Sequence, residues 1–252
     1  MGFSLIYSGN FLAQVEVDAW DTARVTLGIN PFGFDWKLSP GESFQTPEAV
    51  MVYSHEGMGE MSRAFHRLYR TRLTRGQWRD RPRPILINNW EATYFDFTED
   101  KLVSIAEAAH RDGVELFVLD DGWFGARCND FAGLGDWTPN RDRLPGGIAS
   151  LARRINDLGM QFGLWFEPEM VNKDSDLYRA HPDWIIHTPG RRDSHGRNQY
   201  VLDLSRSEVV DCVYGQMAKL LSEADISYIK WDMNRSISEP FSAALPPDRQ
   251  GE

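Results

Sequence analysis

Cysteine is scarce: Cys128 and Cys212 are the only two in 252 residues. One falls in an expected loop and the other in an expected helix, so neither a disulfide framework nor a metal-ligand pair is indicated. Apolar runs of transmembrane length are missing, which excludes a membrane-spanning helix. The N-terminal stretch Met-Gly-Phe-Ser-Leu-Ile-Tyr has no basic region followed by an apolar run and a cleavage site. It does not read as a signal peptide, and a cytoplasmic location is the resulting expectation. Basic charge is in deficit, with 27 Lys and Arg against 37 Asp and Glu and a net charge of −10. That argues against nucleic acid or an anionic membrane as partner. A Gly-rich phosphate loop is also absent, which sets a nucleotide enzyme aside.

What is present is a globular composition, 42% hydrophobic, enough for a core rather than a disordered chain. Nine Trp is a high number for this length. Most belong in a core, and two or three are expected to serve function, because an indole face stacks on the apolar C–H face of a sugar ring.

Residues 1–58 read as short strands with turns between them, as if they were the last part of a β-sandwich. Phe3–Tyr7 and Phe11–Val17 flank Ser8-Gly9-Asn10, a hairpin signal. Residues 59–83 read as a helical linker: Met61, Phe65, Leu68 and Tyr69 recur at helical spacing, and Arg79-Asp80-Arg81-Pro82-Arg83-Pro84 closes it. From 84 to 252 the pattern alternates strand and helix. Expected strands are Ile85–Ile87, Val114–Leu119, Met160–Phe166, Tyr200–Leu204 and Ile226–Ile229. Expected helices include Thr98–Asp112 with Thr98 as N-cap and Ser207–Glu223 with Ser207 as N-cap. Repeated βα units imply parallel strands. Every strand ends in charged or aromatic residues, which fits the catalytic mouth of an α/β, (β/α)8 TIM-type barrel better than a doubly wound sheet. About five βα units fit where a closed barrel needs eight, so the barrel is expected to be incomplete.

Carboxylates stand at three strand ends: Asp120 and Asp121, then Glu167 and Glu169, then Asp232. Trp90, Trp123, Trp165 and Trp231 lie beside them. Asp232 follows Lys230 by two residues, so on a strand both side chains point to one side. The ammonium would keep the carboxylate ionised, the state a nucleophile needs. Glycoside hydrolysis by retention requires such a carboxylate and a separate acid or base. Taken alone, Lys230 and Asp232 also read as a structural ion pair, and the acidic groups also read as Mg²⁺ or Ca²⁺ ligands.

Four motifs carry a more specific resemblance. Asp120-Asp121-Gly122-Trp123-Phe124-Gly125, Gly135-Asp136-Trp137, Trp165-Phe166-Glu167-Pro168-Glu169-Met170 and Lys230-Trp231-Asp232-Met233-Asn234 resemble, in order and spacing, microbial α-galactosidases of glycoside hydrolase family 36. The resemblance implies a retaining α-galactosidase with Asp232 as nucleophile. It implies that Asp120 and Asp121 bind the galactose O4 and O6 hydroxyls and that Trp90 and Trp165 wall the pocket. Arg197 would be a substrate-binding arginine, with Lys230 and Asn234 binding hydroxyls beside the nucleophile. Glu167 and Glu169 would be buried supporting carboxylates. No cofactor or metal is implied. The implied partner is a galactosyl oligosaccharide of the melibiose or raffinose type, with homo-oligomers in the full-length protein.

The family's acid/base aspartate lies in a later Trp-x-Ser-Asp-Asp motif, after a Cys-Ser-x-Gly-Gly-Gly-Arg loop, and neither occurs in this sequence. A fragment of such an enzyme, weakly active or inactive alone, is therefore expected. Other readings are a non-catalytic galactoside-binding fragment, or an α-N-acetylgalactosaminidase or galactosyl transferase of the same fold.

Overall fold

The computed structural model describes residues 1–239 and 241–251. Pro240 and Glu252 lie outside the described residues. The chain divides into two compact units, the first Met1–Arg83 joined by residues 246–251, the second Pro84–Leu245.

In the first unit, strand β1 (Gly2–Ile6) pairs antiparallel with β4 (Glu48–Val52), and β2 (Phe11–Val17) pairs antiparallel with β3 (Ala23–Ile29). The Ser8-Gly9-Asn10 turn therefore does not join a hairpin, contrary to the sequence expectation. The hairpin turn lies instead at residues 18–22. There Asp18 Oδ1 accepts the backbone N–H groups of Trp20 and Thr22, at 2.9 and 3.0 Å. Asp21 sits at φ 59°, the left-handed conformation that tight turns use. Helix α1 (Gly57–Leu68) follows, extended by a π-helical turn over Tyr69–Leu73.

The second unit holds a parallel sheet of four strands in chain order: β5 (Leu86–Asn88), β6 (Leu116–Leu119), β7 (Gln161–Phe166) and β10 (Tyr228–Trp231). Between β5 and β6 run α2 (Trp90–Thr93) and α3 (Glu99–Arg111), and α4 (Gly147–Asn156) connects β6 to β7. Between β7 and β10 lie β8 (Met170–Val171), α5 (Asp176–Ala180), β9 (Tyr200–Val201) and α6 (Ser207–Glu223). The expected strand at Tyr200–Leu204 is the main departure. Only its first two residues are strand, and they pair antiparallel with β8 rather than joining the parallel sheet. Among the described residues the barrel arc therefore has four parallel strands, not five. The final strand also runs two residues later than the apolar run suggested, because Lys230 pairs with Trp165 and Trp231 with Phe166.

Burial explains the order. Leu116, Phe117, Val118 and Leu119 are all fully buried, as a strand covered on both faces requires. The buried faces of α3 (Leu102, Val103, Ala106) and α4 (Ile148, Leu151, Ile155) join β6 and β7 in one core. Thr98 caps α3 as expected, its Oγ1 accepting the Lys101 N–H at 3.3 Å. Thr98→Ala is expected to lower stability by about 1 kcal/mol in urea unfolding. At α6 the N-cap is Arg206, with Ser207 already inside the helix.

Candidate active site

The C-terminal ends of β5, β6, β7 and β10 gather the polar residues. Asp120, just past β6, is almost fully buried and accepts Lys230 Nζ at 2.6 Å and Asn88 Nδ2 at 2.5 Å, both on Oδ2. Its Oδ1 accepts the Asp121 N–H at 2.8 Å. Asn88 Oδ1 takes the Trp90 N–H at 2.8 Å, so the end of β5 is tied to the end of β6. The Trp90 ring packs edge-on against Tyr94 and Phe95 at 5.2 and 5.1 Å.

Asp121 is held differently. Arg127 Nε donates to Oδ1 and Oδ2 at 3.0 and 3.1 Å, and Nη2 to Oδ2 at 2.7 Å. Both partners are buried. Burial pushes the Asp121 carboxyl above its ordinary pKa, against the pull of Arg127 and the Gly122 N–H. The remaining guanidinium nitrogen, Nη1, donates to the Ala132 carbonyl and to Asn172 Oδ1, each at 3.2 Å. Asn172 in turn donates to the Asn198 carbonyl at 2.9 Å. Gly122 has φ +100°, and a Cβ there would stand 2.9 Å from the Phe95 ring. The Asp-Asp-Gly turn thus needs glycine for both conformation and space.

Asp232 follows β10 directly, its own N–H donating to the Phe166 carbonyl at 2.9 Å. Oδ2 accepts Trp165 Nε1 at 3.1 Å and Asn234 Nδ2 at 2.9 Å, and Oδ1 accepts the Met233 N–H at 3.1 Å. Partial burial raises its pKa. The hydrogen bonds from Asn234 and Trp165, with the Lys230 charge, outweigh that and hold the carboxyl below its ordinary value. Trp165 is fixed in turn, buried and stacked on Phe124, its carbonyl accepting Trp123 Nε1 at 3.0 Å. Lys230→Met removes one of the influences that lower the Asp232 pKa. The acid limb of any activity that depends on ionised Asp232 is therefore expected to move to higher pH, read from a rate–pH profile.

The structure forms two hydrogen-bonded sets at these strand ends, Asp120 with Lys230 and Asp232 with Trp165 and Asn234, and the Lys230 charge acts on Asp232 from the first. Asp121 sits behind the first set on Arg127, and Trp90 adjoins that set through Asn88. Arg197 is exposed, at φ 51°, 4.0 Å from Asp130, and is tied to the Asp121 side through the neighbouring Asn198 carbonyl. Glu167 is fully buried and accepts from Asn234 and Gln199. Glu169 accepts Trp231 Nε1 at 2.8 Å. Sequence reasoning missed Asn88, Arg127, Asn172 and Gln199. Asn88 carried a signal, as a polar residue closing an apolar strand. Arg127, in a Gly- and Asn-rich loop, carried none. Among the described residues no cluster of His, Cys, Asp and Glu is arranged to hold a metal ion. No helix there is long and apolar enough to cross a membrane.

A parallel β/α arc with ionised and buried carboxylates at the C-terminal strand ends defines a barrel-type carboxylate site. Residues 43–252 match the Melibiase family and residues 1–39 match the glycosyl hydrolase family 36 N-terminal domain. The chain belongs to this family, glycoside hydrolase family 36. It is 62% identical over 251 residues to alpha-galactosidase AgaA of Geobacillus stearothermophilus, covering 100% of this chain and 34% of the relative. The crystal structure of alpha-galactosidase AgaB from the same organism superposes with a TM-score of 0.95 at 63% identity, over 99% of this chain and 34% of that one. AgaA variants solved in complex with stachyose and with raffinose superpose with a TM-score of 0.95 at 61% identity, over 99% of this chain and 35% of theirs. The chain spans about a third of the length of these relatives.

Proposed function

We propose that the chain carries the nucleophile side of a retaining α-galactosidase site for terminal α-galactosyl groups of melibiose- or raffinose-type oligosaccharides. The single observation that carries this reading is Asp232: a carboxylate held ionised by Trp165, Asn234 and Lys230 at the mouth of the parallel arc. The raffinose and stachyose bound by relatives more than 60% identical support the substrate class. In this reading Asp120 and Asp121 receive the galactose O4 and O6 hydroxyls. An axial O4 is what separates galactose from glucose, so the pair would set specificity. Trp90 and Trp165 wall the sugar, and Arg197, Lys230 and Asn234 bind its other hydroxyls. Residues 1–58 then belong to a β-sandwich, 59–83 to a helical linker, and the stretch from 84 onward to the catalytic barrel.

The chemistry is double displacement. An Asp232 oxygen attacks the anomeric carbon as the bond to the leaving oxygen breaks and its electron pair departs with that oxygen. Water then attacks the same carbon, loses its proton to a base, and releases galactose and the free carboxylate. Neither step needs a metal or cofactor. General acid assistance contributes about 10²–10⁴-fold, and the family's acid motif is absent from this sequence. Turnover of natural oligosaccharides by this chain is therefore expected to be low. p-Nitrophenyl α-galactoside has a leaving group that needs little protonation. Release of p-nitrophenol above background by the purified chain, lost in Asp232→Asn, is the expected result. Equal release by both proteins, or no release together with no galactose binding, would overturn the reading.

A further inference from the structure

Double displacement through Asp232 leaves a second carboxylate of the same cluster without a task. Glu167 directly follows β7 and is 0% exposed, so it neither meets a sugar nor exchanges protons directly with solvent. Yet it is densely hydrogen-bonded. Oε1 accepts the Asn234 backbone N–H at 2.5 Å, and Oε2 accepts Asn234 Nδ2 at 3.1 Å and Gln199 Nε2 at 2.9 Å. The Asn234 amide nitrogen thus faces two carboxylates, giving one hydrogen to Glu167 and the other to Asp232 Oδ2. A flipped amide would place its oxygen against two anions.

Gln199 points the same way. Its Oε1 is buried and lacks a partner among the described residues, while its Nε2 stays on Glu167. An unsatisfied buried oxygen is costly, and the orientation that leaves it so is the one that keeps a donor on an ionised Glu167. The charged side chains on the flanking elements do not donate to Glu167. Lys230 is on Asp120, Arg235 Nη1 is on the Ser194 and Gln199 carbonyls, and Glu169 accepts from Trp231 on Oε1 while its Oε2 has no partner among the described residues.

We propose that Glu167 is a positioning residue: it fixes the Asn234 side-chain amide so that Nδ2 donates to Asp232 Oδ2. The inference rests on the nucleophilic role proposed for Asp232, but its geometry can be tested without turnover. Burial raises the Glu167 pKa, helped by the Asp232 charge and opposed by its donors, and Asp232 is held below its ordinary value. The Glu167 midpoint therefore lies above that of Asp232.

The test is a carbon-13 carboxyl titration of the intact chain by NMR, with Asn234 side-chain NH₂ signals followed in parallel. If Glu167 were only a neighbouring negative charge, Glu167→Gln would relieve repulsion and lower the Asp232 midpoint. If it positions Asn234, the amide loses its orientation, Asp232 loses a donor, and its midpoint rises by about half a pH unit or more. Asn234→Ala is expected to raise it similarly, with no further rise in the double variant. A fall, or no change, in a folded Glu167→Gln protein overturns the proposal. Should that variant not fold, the native chain decides. Its Asn234 NH₂ signals are expected to move at two midpoints, and movement at the Asp232 midpoint alone overturns the proposal. Absent galactosidase activity with a raised Asp232 midpoint would remove the function and leave the positioning intact.

Discussion

Arg127→Met is expected to destabilise the chain by about 3–5 kcal/mol, the usual result of leaving one member of a buried ion pair alone. Urea unfolding at pH 7 measures it. Three contacts to Asp121 disappear, together with donors to Ala132 and Asn172 and the guanidinium lying 5.6 Å from the Phe95 ring centroid. Methionine restores volume but no donor. Asp121 would then relieve its isolation by taking up a proton, and the pH dependence follows. Its folded-state pKa stands above the unfolded value, so the protonated form supplies stability in acid that is lost as pH rises through the folded pKa. The deficit should be smaller near pH 4 than at pH 7. Adding Asp121→Leu to Arg127→Met should recover much of the loss, because an apolar replacement of both partners leaves no unpaired charge. A cost below about 1 kcal/mol in the single variant would show that water reaches and screens the pair.

Asp232→Asn is expected to reduce p-nitrophenyl α-galactoside turnover by about 10⁴-fold, the scale set by removing a covalent nucleophile. The amide is nearly isosteric, so Trp165 and Asn234 remain in place and the fold is little disturbed. Initial rates at saturating substrate read the chemical step, with KM expected to change far less. A smaller variant separates a nucleophile from an electrostatic bystander. Asp232→Ala leaves room on the attacking face, and azide supplied in solution can occupy it. Azide would form a bond to the anomeric carbon as the phenolate leaves, giving β-galactosyl azide, the inverted product. Rescue with that product would assign the attacking position to Asp232. Rescue failing in a folded variant, with residual rates near native, would remove Asp232 from the covalent step.

The sequence made the strand ends legible because their signal is local. An apolar run that switches abruptly to Asp120, Glu167 or Asp232 is visible within a few residues, and a parallel arc turns those switches into neighbours. Side-chain direction was equally legible where a strand fixes it. What stayed hidden depends on contacts far along the chain. β1 pairs with β4 across the turn that suggested a hairpin with β2, because turn residues choose a bend and not a partner. Tyr200–Val201 has the apolar character of a barrel strand but pairs antiparallel with Met170–Val171, leaving the arc one strand short of expectation. Lys230 was expected beside Asp232; its nearest acceptor is Asp120, 110 positions away. Arg127 resembles any loop arginine until Asp121, Ala132 and Asn172 close around it.

Trp231 gives the site an optical consequence. Its indole donates to Glu169 and its ring is 59% exposed, one residue from Asp232. Trp123 and Trp165 are fully buried and would emit at short wavelength, whereas Trp20, Trp36 and Trp231 meet water and would emit to the red. Of these three, only Trp231 belongs to the unit that carries Asp232. Trp78 and Trp90 are half-buried, so a Trp20→Phe, Trp36→Phe, Trp78→Phe background would leave Trp231 as the most exposed indole, with Trp90 beside the same strand ends, and quenching by acrylamide would then report on the mouth of the arc.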